Sequence, residues 1–579
     1  MPIRSEDATV ADLMSYGVQT LDPDVKIGSV ARRLRLIGHE GYPVVENGRV
    51  VGLLTRRDAD RALEHDLGHL TVRDVMVAGA VTLLPEDPVS LLERHMVESG
   101  WGQIPVVDGD GKLIGIVTRT DLIKHWAQVH PSADIRVSET VNAAQIAAIL
   151  GQPVADLIER VAQQAREQQI NLYLVGGLVR DLILKRSNAD VDFVIEGDAI
   201  RFVEDLQARY GGHMHSHRPF GTATWYVDGT TTWHMDGKAV GLPAHIDFAS
   251  ARNEFYEHPT ALPTVYSGSI KLDLQRRDFT INTLAMQLSP ASTSGRILDF
   301  YGGLADLRAE LIRVLHSLSF VDDPTRILRA VRFERRLGFQ IEPRTAQLIE
   351  TAMPMLRRIT GERVSNELTL LLGETDSAGS FLLLQARGIL KAIHPAFVVP
   401  DDLPARFERA RTQPWSNEPP NLINLYWCVM LANIPLSELG DLCARLMFAK
   451  GFADQILETA QLIQNLAGLT DPAATPSQIV ARLDGISNLA LQAVWLTDDN
   501  AFSITRERIW RYANEWRKIR PVTDGHSLRA RGLKPGPCYA RILTRLRAAH
   551  LDGAITTDSQ ESRLLDALIR EGICDDGAE

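Results

Sequence analysis

A glycine pair, an arginine and two carboxylates lie within one short stretch, where Val175-Gly-Gly-Leu-Val-Arg180-Asp181 is followed nine residues later by Asp190-Val-Asp192. Side chains two apart on a strand face the same way, so Asp190 and Asp192 can converge on hard cations that prefer oxygen ligands. Such ions bridge a triphosphate, and a pair of them stabilises both the attacking hydroxyl and the departing pyrophosphate of an in-line displacement. Leu172 to Val175 reads as a buried strand and Leu178 to Leu184 as a helix opened by Gly176 and Gly177, whose backbone amides can hold phosphate. Arg180 adds a forked positive charge. A lone Asp-x-Asp is more often a surface turn or cap, whereas the combination suits metal-assisted nucleotidyl transfer.

The elements that must position these groups follow along the chain. An apolar strand runs to Ile195, helical spacing extends from Asp198 to Tyr210, and polar strands surround Thr222 to Val227. His245-Ile-Asp247-Phe-Ala249 alternates as a half-buried strand does. On a strand beside the aspartate pair, Asp247 would be a third carboxylate that helps deprotonate the attacking hydroxyl. The alternative is a structural ion pair with Arg252.

With 579 residues the chain should hold three or four domains, since single cores rarely grow beyond ~250 to 300 residues. It has 45% hydrophobic and 23% charged residues and a net charge of −11, an ordinary soluble composition. Any nucleic-acid contact must therefore come from local basic clusters. Cys428, Cys443, Cys538 and Cys574 form no C-x-x-C pair and no zinc spacing, which fits a reduced cytoplasmic setting. The start, Met-Pro-Ile-Arg-Ser-Glu-Asp, is too acidic for a signal peptide. The apolar run Leu422 to Ile434 is shorter than the ~20 residues of a membrane span and reads as a core helix.

Residues 8 to 126 contain an internal repeat with an offset of 62 to 63. Val10-Ala-Asp-Leu-Met14 recurs as Val72-Arg-Asp-Val-Met76, Tyr42-Pro-Val-Val45 as Ile104-Pro-Val-Val107, and Gly52-Leu-Leu-Thr55-Arg-Arg-Asp58 as Gly115-Ile-Val-Thr118-Arg-Thr-Asp121. The pattern resembles a pair of CBS domains. That resemblance implies clefts that take adenosine nucleotides, with Thr55, Asp58, Thr118 and Asp121 reaching phosphate and ribose, and a possible homodimer through the module. The same threonines can equally be helix N-caps, with Asp58 and Asp121 completing capping boxes. His65-Asp66 reads as a solvated linker pair.

Four motifs then occur in order: Gly176-Gly-x-Val-Arg180-Asp181, Asp190-x-Asp192, Arg276-Arg-Asp-Phe-Thr-Ile-Asn282, and Asp322-Asp-Pro-Thr-Arg326-Ile-Leu-Arg329-Ala-Val-Arg332-Phe333. Together they resemble those of class II tRNA nucleotidyltransferases, the CCA-adding enzymes with their A-adding and CC-adding variants and the related bacterial poly(A) polymerases. The resemblance implies a multidomain α+β chain: a CBS pair, a polymerase-beta-like nucleotidyltransferase head with a mixed sheet and helices, then an all-α neck, body and tail. The implied boundaries are 1–130 for the pair (repeats about 8–64 and 70–127), a linker over 131–150, the head over 151–300, the neck over 301–375, the body over 376–504 and the tail over 505–579.

It further implies that Asp190 and Asp192 carry Mg²⁺, and that Gly177 and Arg180 hold the triphosphate. Arg277, Asp278 and Asn282 would position the ribose, and Asp323 and Arg326 would read the incoming base. Arg329 and Arg332 would contact phosphate or brace that template. An Asp acceptor beside an Arg donor fork can match the Watson–Crick edge of adenine or cytosine, so ATP and CTP are the implied substrates and tRNA the acceptor. The family's usual Glu-Asp is Asp322-Asp323 here.

From Leu304 onward the period is helical, and no His-Asp dipeptide follows residue 66, which disfavours a fused HD phosphohydrolase domain. Thr505 to Arg520 mixes arginines with Trp510, Tyr512 and Trp516, a composition that suits an RNA backbone or a surface helix with an aromatic core stripe. Arg508, Arg511, Lys518 and, in the glycine-rich loop beyond, Lys534 are the candidate tRNA contacts. Arg252 to Ile270 is long enough to be the flexible loop such enzymes use when switching to A. A poly(A) polymerase is the nearest alternative, disfavoured by His217-Arg-Pro-Phe-Gly-Thr222 where an Arg-rich stretch would stand. A nucleotide-sensing regulator with an inactive head is an alternative of another class.

Overall fold

The computed structural model describes residues 8–573 except 31–33, 35–40, 65–66, 80, 100, 130–138, 188–189, 228–242, 244, 256–263, 413–414, 416–420, 499–502 and 572. His65-Asp66 therefore lies outside the described residues. The chain divides into two compact units, Met1–Ile359 and Thr360–Glu579. The division falls inside the stretch read as a neck: the helix bearing Arg326 belongs with the head and the repeats.

Each N-terminal repeat forms strand, turn, strand, helix. In the first, β1 (Gly41–Glu46) pairs antiparallel with β2 (Arg49–Thr55) and α1 (Arg56–Glu64) follows. In the second, α2 (Val89–Ser99) precedes β3 (Gln103–Val107), β4 (Leu113–Thr118) and α3 (Arg119–Val129). The sequence repeat is not the packing unit, because each core borrows its lead-in from the other copy. Val10 and Leu13 are buried with Leu92, Met96, Ile104 and Val117, whereas Val72 is buried with Ile27, Val44 and Leu54. Gly52 and Gly115 permit this exchange. A Cβ on Gly52 would lie 2.7 Å from Val77 O, and one on Gly115 would lie 3.2 Å from Ser15 O.

The core around the second repeat continues into Leu318, Val321 and Met355, so this repeat is packed onto the segment that leads to Arg326. Thr55 Oγ1 donates to Asp58 Oδ2 at 2.5 Å, and Thr118 Oγ1 donates to Asp121 Oδ2 at 2.6 Å. Both threonines are thus joined to their aspartates in the capping arrangement.

The linker expected over 131–150 needs correction in its second half. Ala143–Leu150 (α4) is helical, and Asn142 and Gln145 close a capping box ahead of it at 2.9 Å in both directions. Thr140 also bridges to Arg296 on the head. Ile146 is buried, with Ile149 and Leu150 half-buried one turn on, and the cap satisfies the free amides.

The head is a seven-stranded mixed sheet. Its strands are β5 (Asn171–Val175), β6 (Asp192–Glu196), β7 (His213–His217), β8 (Thr222–Tyr226), β9 (Ile246–Ser250), β12 (Leu284–Ser289) and β13 (Ile297–Asp299), in the order β13-β12-β5-β6-β9-β8-β7. Between β9 and β12 the chain forms a separate hairpin of β10 (Arg252–Phe255) and β11 (Thr264–Ser267). The ends of the expected flexible segment are therefore paired strands, and 256–263 lie outside the described residues.

In the second unit the described residues after Thr360 are helical apart from turns. Leu422–Leu431 is a buried helix that carries Trp427, in agreement with the core-helix reading. Among the described residues no helix is long and apolar enough to cross a membrane. Cys428 and Cys443 are free and buried, whereas Cys538 is disulfide-bonded, which departs from the expectation of reduced thiols throughout.

Candidate active site

Topology brings three carboxylates together. β6 and β9 are parallel neighbours, and their register pairs Asp192 with Asp247, so both side chains leave the same face. Asp190 lies just before β6. Ligand atoms of Asp190, His245 and Asp247 all fall within 4.8 Å of one another. Burial and the neighbouring Asp190 and Asp247 charges push the Asp192 carboxyl up to about 6, against the pull of Arg277 and His245. Carboxylates crowded enough to disfavour one another's ionisation form a donor set that a hard divalent cation relieves, and the residues fit Mg²⁺ on that ground.

Asp247 Oδ1 accepts a hydrogen bond from Thr224 Oγ1 at 2.5 Å, and His245 Nε2 stands 3.8 Å from Asp247 Oδ2. The suggested partner Arg252 has its side chain outside the described residues. Neither Thr224 nor His245 stood out in sequence, although the alternation His245-x-Asp247 carries the signal.

Arg277 faces this cluster. Its Nη2 donates to Asp273 Oδ2 at 3.3 Å, while its Nε is buried without a hydrogen-bond partner. Asp273 is fully buried on α8 (Ile270–Gln275) and also binds Arg276 at 2.7 Å, so one carboxylate sets both arginines. Gly176 lies against Arg277: a Cβ there would stand 2.7 Å from Nη1 and 4.0 Å from Asp192 Oδ2.

Three of the expected nucleotide contacts are placed differently. Arg180 is 2% exposed, and its guanidinium is used internally. Nε and Nη2 donate to Asp181, Nη1 donates to Asn282 Oδ1 at 2.8 Å, and the group lies over the Phe333 ring. Asn282 Nδ2 in turn donates to Asp278 Oδ1 at 2.9 Å, and Asp278 Oδ2 pairs with Arg329 Nη2 at 2.5 Å. Burial alone would raise the Asp278 carboxyl, but Arg329, the Asn282 amide and Arg326 outweigh it and hold the group well below the ordinary range. Arg180, Asn282 and Asp278 thus form a buried brace behind the site. The neighbouring Arg180-Asp181 pair was the signal for it, since a buried arginine needs a carboxylate beside it.

The motif expected to read the base spans α9 (Ser319–Asp322) and α10 (Thr325–Leu337). Asp323 Oδ1 accepts from Thr325 N at 3.0 Å and from Thr325 Oγ1 at 2.6 Å. Arg326 is buried, with Nη1 donating to Ser319 Oγ at 2.6 Å and Nη2 to Arg276 O at 2.8 Å. Arg329 and Arg332 flank the Phe333 ring, and Arg329 is tied to Asp278, so it braces.

In the second unit, Arg508 is corrected from RNA contact to internal clamp. It is buried and donates to Leu469 O and Asp471 O at 2.8 Å and to Ala474 O at 3.2 Å. Arg511 is exposed and paired with Glu507, while Lys518 and Lys534 are exposed.

Residues 172–313 match the poly A polymerase head domain, residues 338–399 the probable RNA and SrmB-binding site of polymerase A, and residues 10–65 and 72–128 the CBS domain. An A-adding tRNA nucleotidyltransferase of Geobacter sulfurreducens is 32% identical across 96% of this chain, which spans 64% of that relative's length. One from Halalkalibacterium halodurans is 32% identical across 69% of this chain and 89% of its own length. Among solved structures, a CCA-adding enzyme in an apo form gives a TM-score of 0.62 at 28% identity, covering 74% of this chain and 99% of its own. The Thermotoga maritima CCA-adding enzyme complexed with tRNA gives 0.57 at 26% identity, covering 74% and 99%. The chain belongs to the tRNA nucleotidyltransferase family.

Proposed function

We propose that this protein adds untemplated AMP to the 3′ end of tRNA, with CMP addition as the broader alternative. The observation that carries the reading is the convergence of Asp190, Asp192 and Asp247 opposite Arg277. The names of the two relatives favour A addition. A bound divalent cation such as Mg²⁺ would supply Lewis-acid stabilisation of the charge that develops during nucleotidyl transfer. Asp190 and Asp192 would hold it, and Asp247, kept in place by Thr224, accepts the proton of the attacking 3′ hydroxyl. Arg277 fixes the triphosphate, and Asp323 with Arg326 selects the base. Arg326 is oriented by Ser319 and the Arg276 carbonyl, which take two of its five N–H donors and leave the rest for the base.

The test is Mg²⁺-dependent ATP and CTP incorporation into tRNAs that end before CCA, at C and at CC. AMP added only to the CC-ended tRNA establishes the A-adding assignment, and C addition makes it a CCA- or CC-adding enzyme. Long A tails on any RNA would favour the polyadenylating alternative. No incorporation would overturn the enzymatic reading and leave the nucleotide-sensing alternative.

The second repeat is proposed to take an adenosine nucleotide. A cavity of about 690 Å³ between both repeats and the segments that carry Arg276 and Arg326 is lined by Tyr42, Thr118, Asp121, Arg276 and Arg326 among others. AMP titrated into the full chain and into Asp121→Ala should bind the first and not the second. Exposed Arg511, Lys518 and Lys534 are proposed tRNA contacts, a cytoplasmic setting is proposed for the whole, and a homodimer through the CBS pair is to be checked by sedimentation.

A further inference from the structure

The second repeat reaches the base-selecting motif through one buried ion pair. Arg119, the first residue of α3, places Nη1 2.7 Å from Asp322 Oδ1, with the two side chains 11% and 8% exposed. The approach is too oblique to count as a hydrogen bond for Asp322 Oδ1, so the contact is chiefly coulombic. Asp322 closes α9. Ser319, at the other end of that single turn, receives Arg326 Nη1, and the next residue after Asp322 is Asp323. A four-residue helix therefore carries Arg119's partner, Arg326's partner and the chain that leads into the Asp323 cap.

The charge on Asp322 has few other partners. His316 Nε2 is 3.9 Å from Asp322 Oδ2, but burial, with Arg326 and Arg119 nearby, pushes the His316 imidazole down to about 4, so it is neutral at physiological pH. The contact is also anchored, since Leu318 and Val321 on the same turn are buried in the second repeat's core.

We infer that Arg119 is a positioning residue for nucleotide selection, holding α9 and through it the Asp323/Arg326 pair that meets the incoming base. This rests on the base-reading role of that pair. A buried carboxylate deprived of its cation is expected to move toward water or toward another cation. Arg326 lines the same cavity as Asp322 and Arg119, so loss of Arg119 would leave the selecting guanidinium as a candidate counter-charge and draw it out of register.

The test uses the full chain and reads kcat and KM for ATP and CTP separately on a CC-ended tRNA. Arg119→Ala should lower the ATP-over-CTP preference in kcat/KM by about tenfold or more, within the range usual for coupled sites, chiefly through KM for ATP. Arg119→Lys, which keeps the charge without the fork, should restore part of it. The control is Arg344→Ala, because Arg344 pairs with Glu93 of the same repeat at 2.5 Å and its side-chain hydrogen bonds go to Glu93 and Gln347. That variant should loosen the module equally and leave the preference within twofold. An unchanged preference in a folded Arg119→Ala protein, or an equal loss in Arg344→Ala, would overturn the inference. Equilibrium binding of ATP and CTP to the same variants keeps the two readings apart. If the chain incorporates no nucleotide, loss of unequal ATP and CTP binding on Arg119→Ala still supports the positioning role, and binding unaffected by the substitution refutes it.

Discussion

Gly176→Ala should damage catalysis through Arg277 rather than through the fold. Gly176 sits at φ 69° and ψ −136°, a region that side-chain-bearing residues rarely enter, so the methyl costs roughly 1–3 kcal/mol in backbone strain. The new Cβ would also stand 2.7 Å from Arg277 Nη1, which is inside contact distance. That atom is the end of a flexible side chain, so the guanidinium moves and the backbone stays. It leaves the position from which its charge acts on the Asp192 carboxylate and from which the proposed triphosphate contact would be made. A lost charge-assisted contact is worth about 1.5–3 kcal/mol, which corresponds to about 10- to 150-fold in kcat/KM for ATP. Steady-state incorporation into a CC-ended tRNA measures this, alongside thermal unfolding. The double variant Gly176→Ala/Arg277→Ala should be no slower than Arg277→Ala alone, since the two act through one group. A rate loss below twofold in Gly176→Ala, or fully additive losses in the double variant, would refute the reasoning.

Asp278→Asn should lower stability by about 3 kcal/mol, read as a denaturant midpoint shift, because Arg329 is left without its buried carboxylate. Arg508→Met should destabilise by about 1–3 kcal/mol, as three carbonyls lose their donor, yet leave the salt dependence of tRNA binding unchanged. A fall of about one in the salt slope would return Arg508 to the interface. Glu561 is 2% exposed, and although burial raises its carboxyl, hydrogen bonds from Thr523, His550 and the Val522 amide bring it down to about 2 from an ordinary 4.5. Its contribution, on the order of 3 kcal/mol, is therefore complete above pH 4.5 and lost as pH falls toward 2. Glu561→Gln should flatten acid unfolding in that window, and an unchanged acid limb would contradict the assignment.

The sheet-borne half of the site was legible because strand chemistry is local. The alternation around Asp190-Val-Asp192 and His245-Ile-Asp247 fixes which side chains share a face, and hydrophobic strands on either side leave little freedom in register. Arg180, Asp278 and Asn282 were misplaced for a complementary reason. A motif records which residue types occur together, but an arginine that braces and an arginine that binds phosphate look alike in sequence. Only burial separates them, and burial depends on Phe333 and Asn282, more than a hundred residues away. The same limit applies to Arg508, whose acceptors are carbonyls, which every residue has. Arg119 carried no signal at all, because the residue after a repeat's threonine is read as the start of a helix until a distant carboxylate is set against it.

The exchanged lead-ins of the two repeats make the extreme N-terminal residues part of a distant machine. Val10 and Leu13 fill the core against which Leu318 and Val321 also rest. Replacing Val10 and Leu13 with polar residues would thus unseat the platform beneath the segment proposed to select the nucleotide, some three hundred residues downstream. Such a variant would retain Asp190, Asp192 and Asp247 and is expected to lose fidelity before turnover.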